Sequence, residues 1–314
     1  MVGSVINNPR ADGRKTKPHT QRWAYQWFYT EKIFQLTTAL YPVIGRSVFQ
    51  ACSGMVARFY ALTQPGVVAV VRDNLSLLGK GAEPASAHRV FLNFSKIIAD
   101  YVAVGAMGKD SAQALCGEFV GREYIEEALG SGKGAILATG HLGFFEYGCV
   151  VLGGMGVSMS VATMPEPTRS LTGWRADWRR RWGVETIQIG TDPFSSLAVN
   201  RALASGQMVA LLADRPMSGH GQPFSLPGGK TLLSTTPATL SSMTGAPVIP
   251  VAVTLLEKGC YRVAAMPPLT VRKSGGADRR AEIEQCTEAM GRCLFTEISN
   301  SPEQWFQFIP VQCG

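Results

Sequence analysis

His141 and Glu146 stand five positions apart in the stretch 134–146, GAILATGHLGFFE. A carboxylate that accepts one imidazole N–H fixes the ring's tautomer. The other ring nitrogen is then left as a proton acceptor, which is what a general base near neutral pH requires. On a single helix, five residues at ~100° each would leave the two side chains about 140° apart, on different faces. The spacing works if His141 sits on a turn ahead of a helix and its ring reaches back over the first turn to Glu146. Gly140 and Gly143 would let backbone and substrate approach closely. Backbone N–H groups over 140–143 are candidates for stabilising an oxyanion. A cationic set stands beside this pair. Arg169, Arg175, Arg179, Arg180 and Arg181 accompany one acid, Asp177. Arginine makes bidentate contacts to phosphate and carboxylate, so this run is a candidate substrate-binding helix.

The elements that must position these groups can be read in outline. Residues 134–140 form a short apolar run bounded by glycines, the pattern of a buried strand. His141 would then lie at its carboxyl end, where open α/β sheets place their ligand crevice. A helix is expected to open through Leu142, Phe144, Phe145 and Tyr147. Further strands are expected at 157–163, 184–189, 208–213 and 248–256, with helices at 168–182, 192–205 and 234–244. This alternation predicts an α/β fold with a central, mainly parallel mixed sheet flanked by helices. An antiparallel strand at 261–265 and a long amphipathic helix at 278–298 complete it. Asp214 falls at the end of the strand over 208–213, so it too should face the crevice. Ahead of the core, 64–105 reads as helices and 121–129 as a short helix leading into the central strand. The expected organisation is a mobile basic tail over 1–20, a helical, membrane-contacting region over 21–120 and an α/β core over 121–314.

The chain has 314 residues and a net charge of +7, which points to anionic partners: nucleic acid, membrane, an acidic carrier protein or a phosphorylated substrate. No nucleic-acid fold signature is present, which leaves the membrane and phosphate partners. The seven cysteines include no C-x-x-C pair, which fits free thiols in a reducing compartment. None of the four histidines stands at zinc-site spacing from a cysteine, so no metal is expected. The first 22 residues are polar and basic and do not read as a signal peptide. The uncharged runs 33–45, 47–57 and 59–71 are 11 to 13 residues long, short of the ~20 that span a bilayer. Aromatics over 21–63, from Trp23, Tyr25, Trp27, Phe28 and Tyr29 to Phe59 and Tyr60, suit helices lying in a membrane interface.

The H-x4-E block of GHLGFFE resembles the signature of the glycerolipid and lipid A acyltransferase superfamily. GHLGFFE resembles the form used by bacterial lipid A late (lauroyl/myristoyl) acyltransferases and the related phosphatidylinositol mannoside acyltransferases. Further blocks follow in family order over roughly 70–308. VRDNLSLLG resembles an upstream R-x-N-L helix, and WRRRWG the ending of a tryptophan- and arginine-bearing helix. GQMVALLAD resembles the family's second block, TGAPVIP the end of its substrate-facing loop and helix over 222–245, and SPEQWFQF its C-terminal P-E-Q-W-x-W element. Three blocks depart from the pattern. Met164-Pro165 stands for Arg-Pro, Asp214-Arg215-Pro216 for D-x-D, and Ile309-Pro310-Val311 for a final H-R-R-W. These changes touch substrate contacts and leave the acceptor open. The family's membrane-spanning N-terminal helix is not evident either.

The resemblance implies acyl transfer from an acyl carrier protein or coenzyme A thioester to a hydroxyl of a membrane lipid or glycolipid, with no bound cofactor. It implies His141 as general base and Arg169, Arg175, Arg179 and Arg215 as substrate contacts. In the mannoside branch a carboxylate at the position of Asp214 partners the histidine, which makes Asp214 a rival to Glu146. The same-unit geometry favours Glu146. A peripheral location on the cytoplasmic face of the inner (plasma) membrane, at an anionic surface, completes the expectation. An esterase or thioesterase on the same scaffold is the alternative, although the G-x-S-x-G elbow of α/β hydrolases is absent. GGKT is not a Walker A loop, because Phe224 occupies the place of its first glycine.

Overall fold

The computed structural model describes residues 30–79, 84–190, 195–216, 221–271 and 277–311. The expected basic tail and the aromatics Trp23 to Tyr29 lie outside these residues. Five helices come first: α1 (Glu31–Ile44), α2 (Arg46–Thr63), α3 (Pro65–Ser76), α4 (Pro84–Ala106) and α5 (Lys109–Gln113). Strands and helices then alternate: β1 (Cys116–Val120), α6 (Arg122–Gly130), β2 (Ala135–Thr139), α7 (Tyr147–Gly154), β3 (Met159–Thr163), α8 (Arg169–Arg180), β4 (Val184–Gln188), α9 (Ser195–Ala204) and β5 (Met208–Leu212). A hairpin, β6 (Gln222–Leu226) and β7 (Gly229–Leu233), precedes α10 (Thr236–Thr244). The chain ends with β8 (Val248–Leu255), β9 (Tyr261–Ala265), α11 (Ala277–Asn300) and a 3-10 turn at Pro302–Gln304.

Seven strands form one sheet in the order β1-β9-β8-β2-β5-β3-β4. All neighbours are parallel except β8 and β9, so the expected mainly parallel mixed sheet is present. Its first strand, Cys116–Val120, lies ahead of residue 121, where the core was expected to begin. Alternate residues of β2 feed opposite faces. Ala135 and Leu137 join a cluster with α3, α4, α7 and α8, while Ile136 and Ala138 join one with α9, α10 and α11. Helices on both faces explain why β2 and β8 read as nearly unbroken apolar runs rather than alternating ones.

Two local outcomes differ from expectation. The helix expected to open at Leu142 begins only at Tyr147, and residues 140–146 form turns, with Glu146 at the N-cap. Gly143 explains the break. It takes φ +53, and a Cβ there would meet the Val253 carbonyl oxygen at 2.0 Å, so the chain turns tightly against β8 instead of coiling. The stretch 222–233, expected to be loop, is a hairpin turning at Pro227-Gly228.

Candidate active site

β2 and β5 are neighbours and run parallel, with Ala135 opposite Met208 through to Thr139 opposite Leu212. Two residues beyond each strand end come His141 and Asp214, so the sheet register itself brings them side by side. His141 Nδ1 lies 2.8 Å from Asp214 Oδ1. An ionised carboxylate only accepts, so Nδ1 carries the proton and Nε2 is left as the base. The Asp214 side chain is fully buried, while the imidazole keeps 19% exposure.

The second oxygen of Asp214 is crowded with donors. Oδ2 accepts the His141 backbone N–H at 2.9 Å, Trp305 Nε1 at 3.0 Å and Gln307 Nε2 at 2.8 Å. Burial pushes this carboxyl upward, but the charge of His141, its side-chain and backbone hydrogen bonds and that of Trp305 outweigh burial and hold it at about 2. Asp214 is therefore ionised wherever the imidazole can act. Trp305 and Gln307 arrive on the segment after α11. There Phe306 N–H donates to His141 O and Gly143 N–H to Gln304 O, both at 2.8 Å. Sequence reasoning marked this segment only as the P-E-Q-W-x-W block and assigned it no site residue.

Glu146 does not meet His141. It turns toward α8, where Arg179 Nε donates to Oε2 at 2.9 Å and Arg175 Nη2 to Oε1 at 2.6 Å. Arg175 also holds Glu166, just before the helix. Burial raises the Glu146 carboxyl, and Arg179 and Arg175 together more than reverse that, to about 2. The expected Glu146–His141 pair is thus corrected to Asp214–His141. With 140–146 in turns, Glu146 sits over α8 rather than under the imidazole. Arg175 and Arg179, expected to bind substrate, are taken up by two carboxylates, so the four charges cancel among themselves. Thr168 caps α8, accepting the Leu171 N–H at 3.2 Å.

The glycines behave differently from expectation as well. At Gly140 a Cβ would meet the Asp214 carboxyl carbon at 3.3 Å, and at Gly143 it would meet β8. Their close approach is to protein, not to substrate. The N–H groups of His141 and Gly143 are already used, by Asp214 and Gln304, so neither can also serve an oxyanion. Arg169 is exposed at the start of α8. Arg215 is half-buried beside the crevice and donates from Nη1 to Gln307 Oε1 at 3.3 Å. Below the turn, Phe145 stands edge-on to the His141 ring, with centroids 5.9 Å apart. It also lines an apolar cavity with Leu137, Cys149, Leu152, Met159 and Val161. Among the described residues no cluster of His, Cys, Asp and Glu could hold a metal ion.

A family model for bacterial lipid A biosynthesis acyltransferases matches residues 12–310, almost the whole chain. The chain belongs to the bacterial lipid A biosynthesis acyltransferase family. No curated protein matches it. For an acyltransferase of the lipid A type, the H-x4-E block provides a histidine at a strand end and a glutamate that ties the following turn to α8. The carboxylate on the histidine comes from the second block, 73 residues later.

Proposed function

We propose that this lipid A-type acyltransferase moves a fatty acyl group from an acyl carrier protein or coenzyme A thioester to a hydroxyl of a membrane lipid or glycolipid. The observation that carries the proposal is the His141–Asp214 contact, which leaves Nε2 of a partly exposed imidazole as a base. Nε2 takes the acceptor's hydroxyl proton as the oxygen attacks the thioester carbonyl. The carbon–sulfur bond then breaks, and the imidazolium returns the proton to the leaving thiolate. Asp214 stabilises the transient imidazolium and holds the ring, and no metal or bound cofactor takes part. A general base contributes ~10²–10⁴-fold, so substrate positioning must supply much of the rest. Arg215 suits an anionic group of donor or acceptor.

The N-terminal helices support work at a bilayer. Leu36, Leu40, Val43, Val48, Phe59 and Leu62 of α1 and α2 are exposed. Among the described residues no single helix is long and apolar enough to cross a membrane. Only α2 and α3 together reach that composition, and they meet at a 96° bend. We place the protein peripherally on the cytoplasmic face of the inner membrane, held by this apolar face and by attraction of its basic residues to anionic lipid.

Mass spectrometry of lipids from cells with and without the gene tests the proposal. The expected difference is a lipid heavier by one fatty acid less water, restored by the wild-type gene and not by His141→Ala. Purified His141→Ala should stay folded at a lower melting temperature, because the buried Asp214 carboxylate loses its imidazole partner. Near-wild-type turnover of that variant would remove His141 from the mechanism. Unchanged lipids, with free fatty acid released from the thioester by the purified protein, would instead show a thioesterase.

A further inference from the structure

The carboxylate of the catalytic pair has a cation as its next neighbour in the chain, yet it does not pair with it. Asp214 is bonded to His141, whereas Arg215 donates to the side-chain oxygen of Gln307 at 3.3 Å. Gln307 is 1% exposed and stands between the two. Its Nε2 donates to Asp214 Oδ2 at 2.8 Å and lies 3.3 Å from His141 Nδ1. The neighbours fix the orientation of this amide. Turned over, it would set its oxygen against a carboxylate and its NH₂ against a guanidinium, both repulsive.

We propose that Gln307 is a positioning residue that keeps the Arg215 cation out of the His141–Asp214 pair. The proposal rests on His141 being the base. A carboxylate shared with a guanidinium stabilises an imidazolium less, so a direct Asp214–Arg215 ion pair would weaken the base. An amide is suited to the separating position because it is neutral and offers a donor to one side and an acceptor to the other. Among the described residues the groups facing the pair are few. From the end of β5 come Asp214 and Arg215, from the C-terminal segment Trp305 and Gln307, and from the motif turn Phe145. Glu146, Arg175, Arg179 and Glu166 form their own neutral cluster.

The test reads the imidazole directly and needs no substrate. In the full-length protein labelled with ¹⁵N-histidine, the His141 resonances are assigned by their loss in His141→Gln and titrated. Gln307→Met, close in shape, should lower the His141 midpoint by about one unit, as Arg215 moves onto Asp214. Adding Arg215→Met to that variant should bring the midpoint back to the wild-type value or above. Loss of the amide alone would act oppositely, since a carboxylate with one donor fewer holds the imidazolium more tightly. A midpoint that is unchanged or raised in Gln307→Met, or that stays low in the double variant, overturns the proposal. Gln307→Asn, whose amide is too short to span both partners, guards against misfolding. It should shift the midpoint in the same direction but less, and no fall there also overturns the proposal. If the midpoints behave as stated while the protein transfers no acyl group, the catalytic proposal fails and this one stands. If transfer is found and the midpoints do not move, the reverse holds.

Discussion

At the scale of single residues, two carboxylates with similar acidity have different work. Asp214 and Glu146 are both buried and both held at about 2, one by an imidazole and the other by two guanidinium groups. Asp214→Asn removes the charge that stabilises the imidazolium. Turnover should drop about 10²-fold or more, and the acidic limb of the pH–rate profile should move to lower pH. Glu146→Gln should leave that limb in place. It strips the compensating charge from Arg175 and Arg179, and breaking a buried pair costs on the order of 3 kcal/mol, measurable as a lower urea midpoint. A limb that moves in Glu146→Gln and stays in Asp214→Asn would return Glu146 to the histidine.

At the scale of elements, the site depends on two chain segments meeting: the turn after β2 and the strip after α11. Leu142 and Trp305 form an antiparallel bridge, so the strip extends the site like a short extra strand. Trp305 is 1% exposed and its indole N–H reaches Asp214. Trp305→Phe keeps most of the packing and deletes that donor. It should cost about 1–3 kcal/mol and lower turnover, whereas loss of stability alone would make the indole purely structural. The outer face of α1 and α2 belongs to a different function. Phe59→Asp with Leu62→Asp should weaken vesicle co-sedimentation and leave the melting temperature nearly unchanged, because both side chains are exposed at 70% and 76%. Vesicle binding that survives the double substitution would exclude this face from the contact.

At the scale of the whole molecule, charge sets two behaviours. The Asp214 and Glu146 carboxyls fall from ordinary values of 3.8 and 4.5 to about 2 on folding. Groups depressed in this way add stability that is fully present above their unfolded values and is lost as pH falls through the folded ones. Urea midpoints should therefore fall most steeply between pH 4.5 and 2, with a shallower fall in Glu146→Gln. A flat profile over that window would mean the two carboxyls do not carry the acid response. The net charge of +7 acts outside the fold. Anionic vesicles should recruit the protein more strongly than neutral ones, by ~1 kcal/mol per basic residue at the surface, and added salt should reverse the gain. Binding indifferent to both lipid charge and salt would limit the membrane contact to the apolar face.

Much of this molecule is legible in its sequence because the signals are local. An apolar run bounded by glycines marked β2, the alternation of strands with helices marked β3, β4, β5 and β8, and Gly-flanked His141 at a strand end marked the crevice. Asp214 was visible as a second acid at a second strand end. Local pattern does not fix which strands lie side by side. Strands buried on both faces are all near-continuous apolar runs, so nothing in 135–139 names 208–212 as its neighbour. Only packing between two helical layers puts β5 against β2, in the register that joins His141 to Asp214. Glu146, five residues from His141, was the natural partner by proximity in the chain. The tight backbone approach of Gly143 to β8 keeps 140–146 out of a helix, and the buried Arg179 and half-buried Arg175 of α8 draw the carboxylate away. Trp305 and Gln307 were unmarked for the same reason. They act on groups 91 and 93 residues away, across a contact that exists only once the chain end folds back over the sheet.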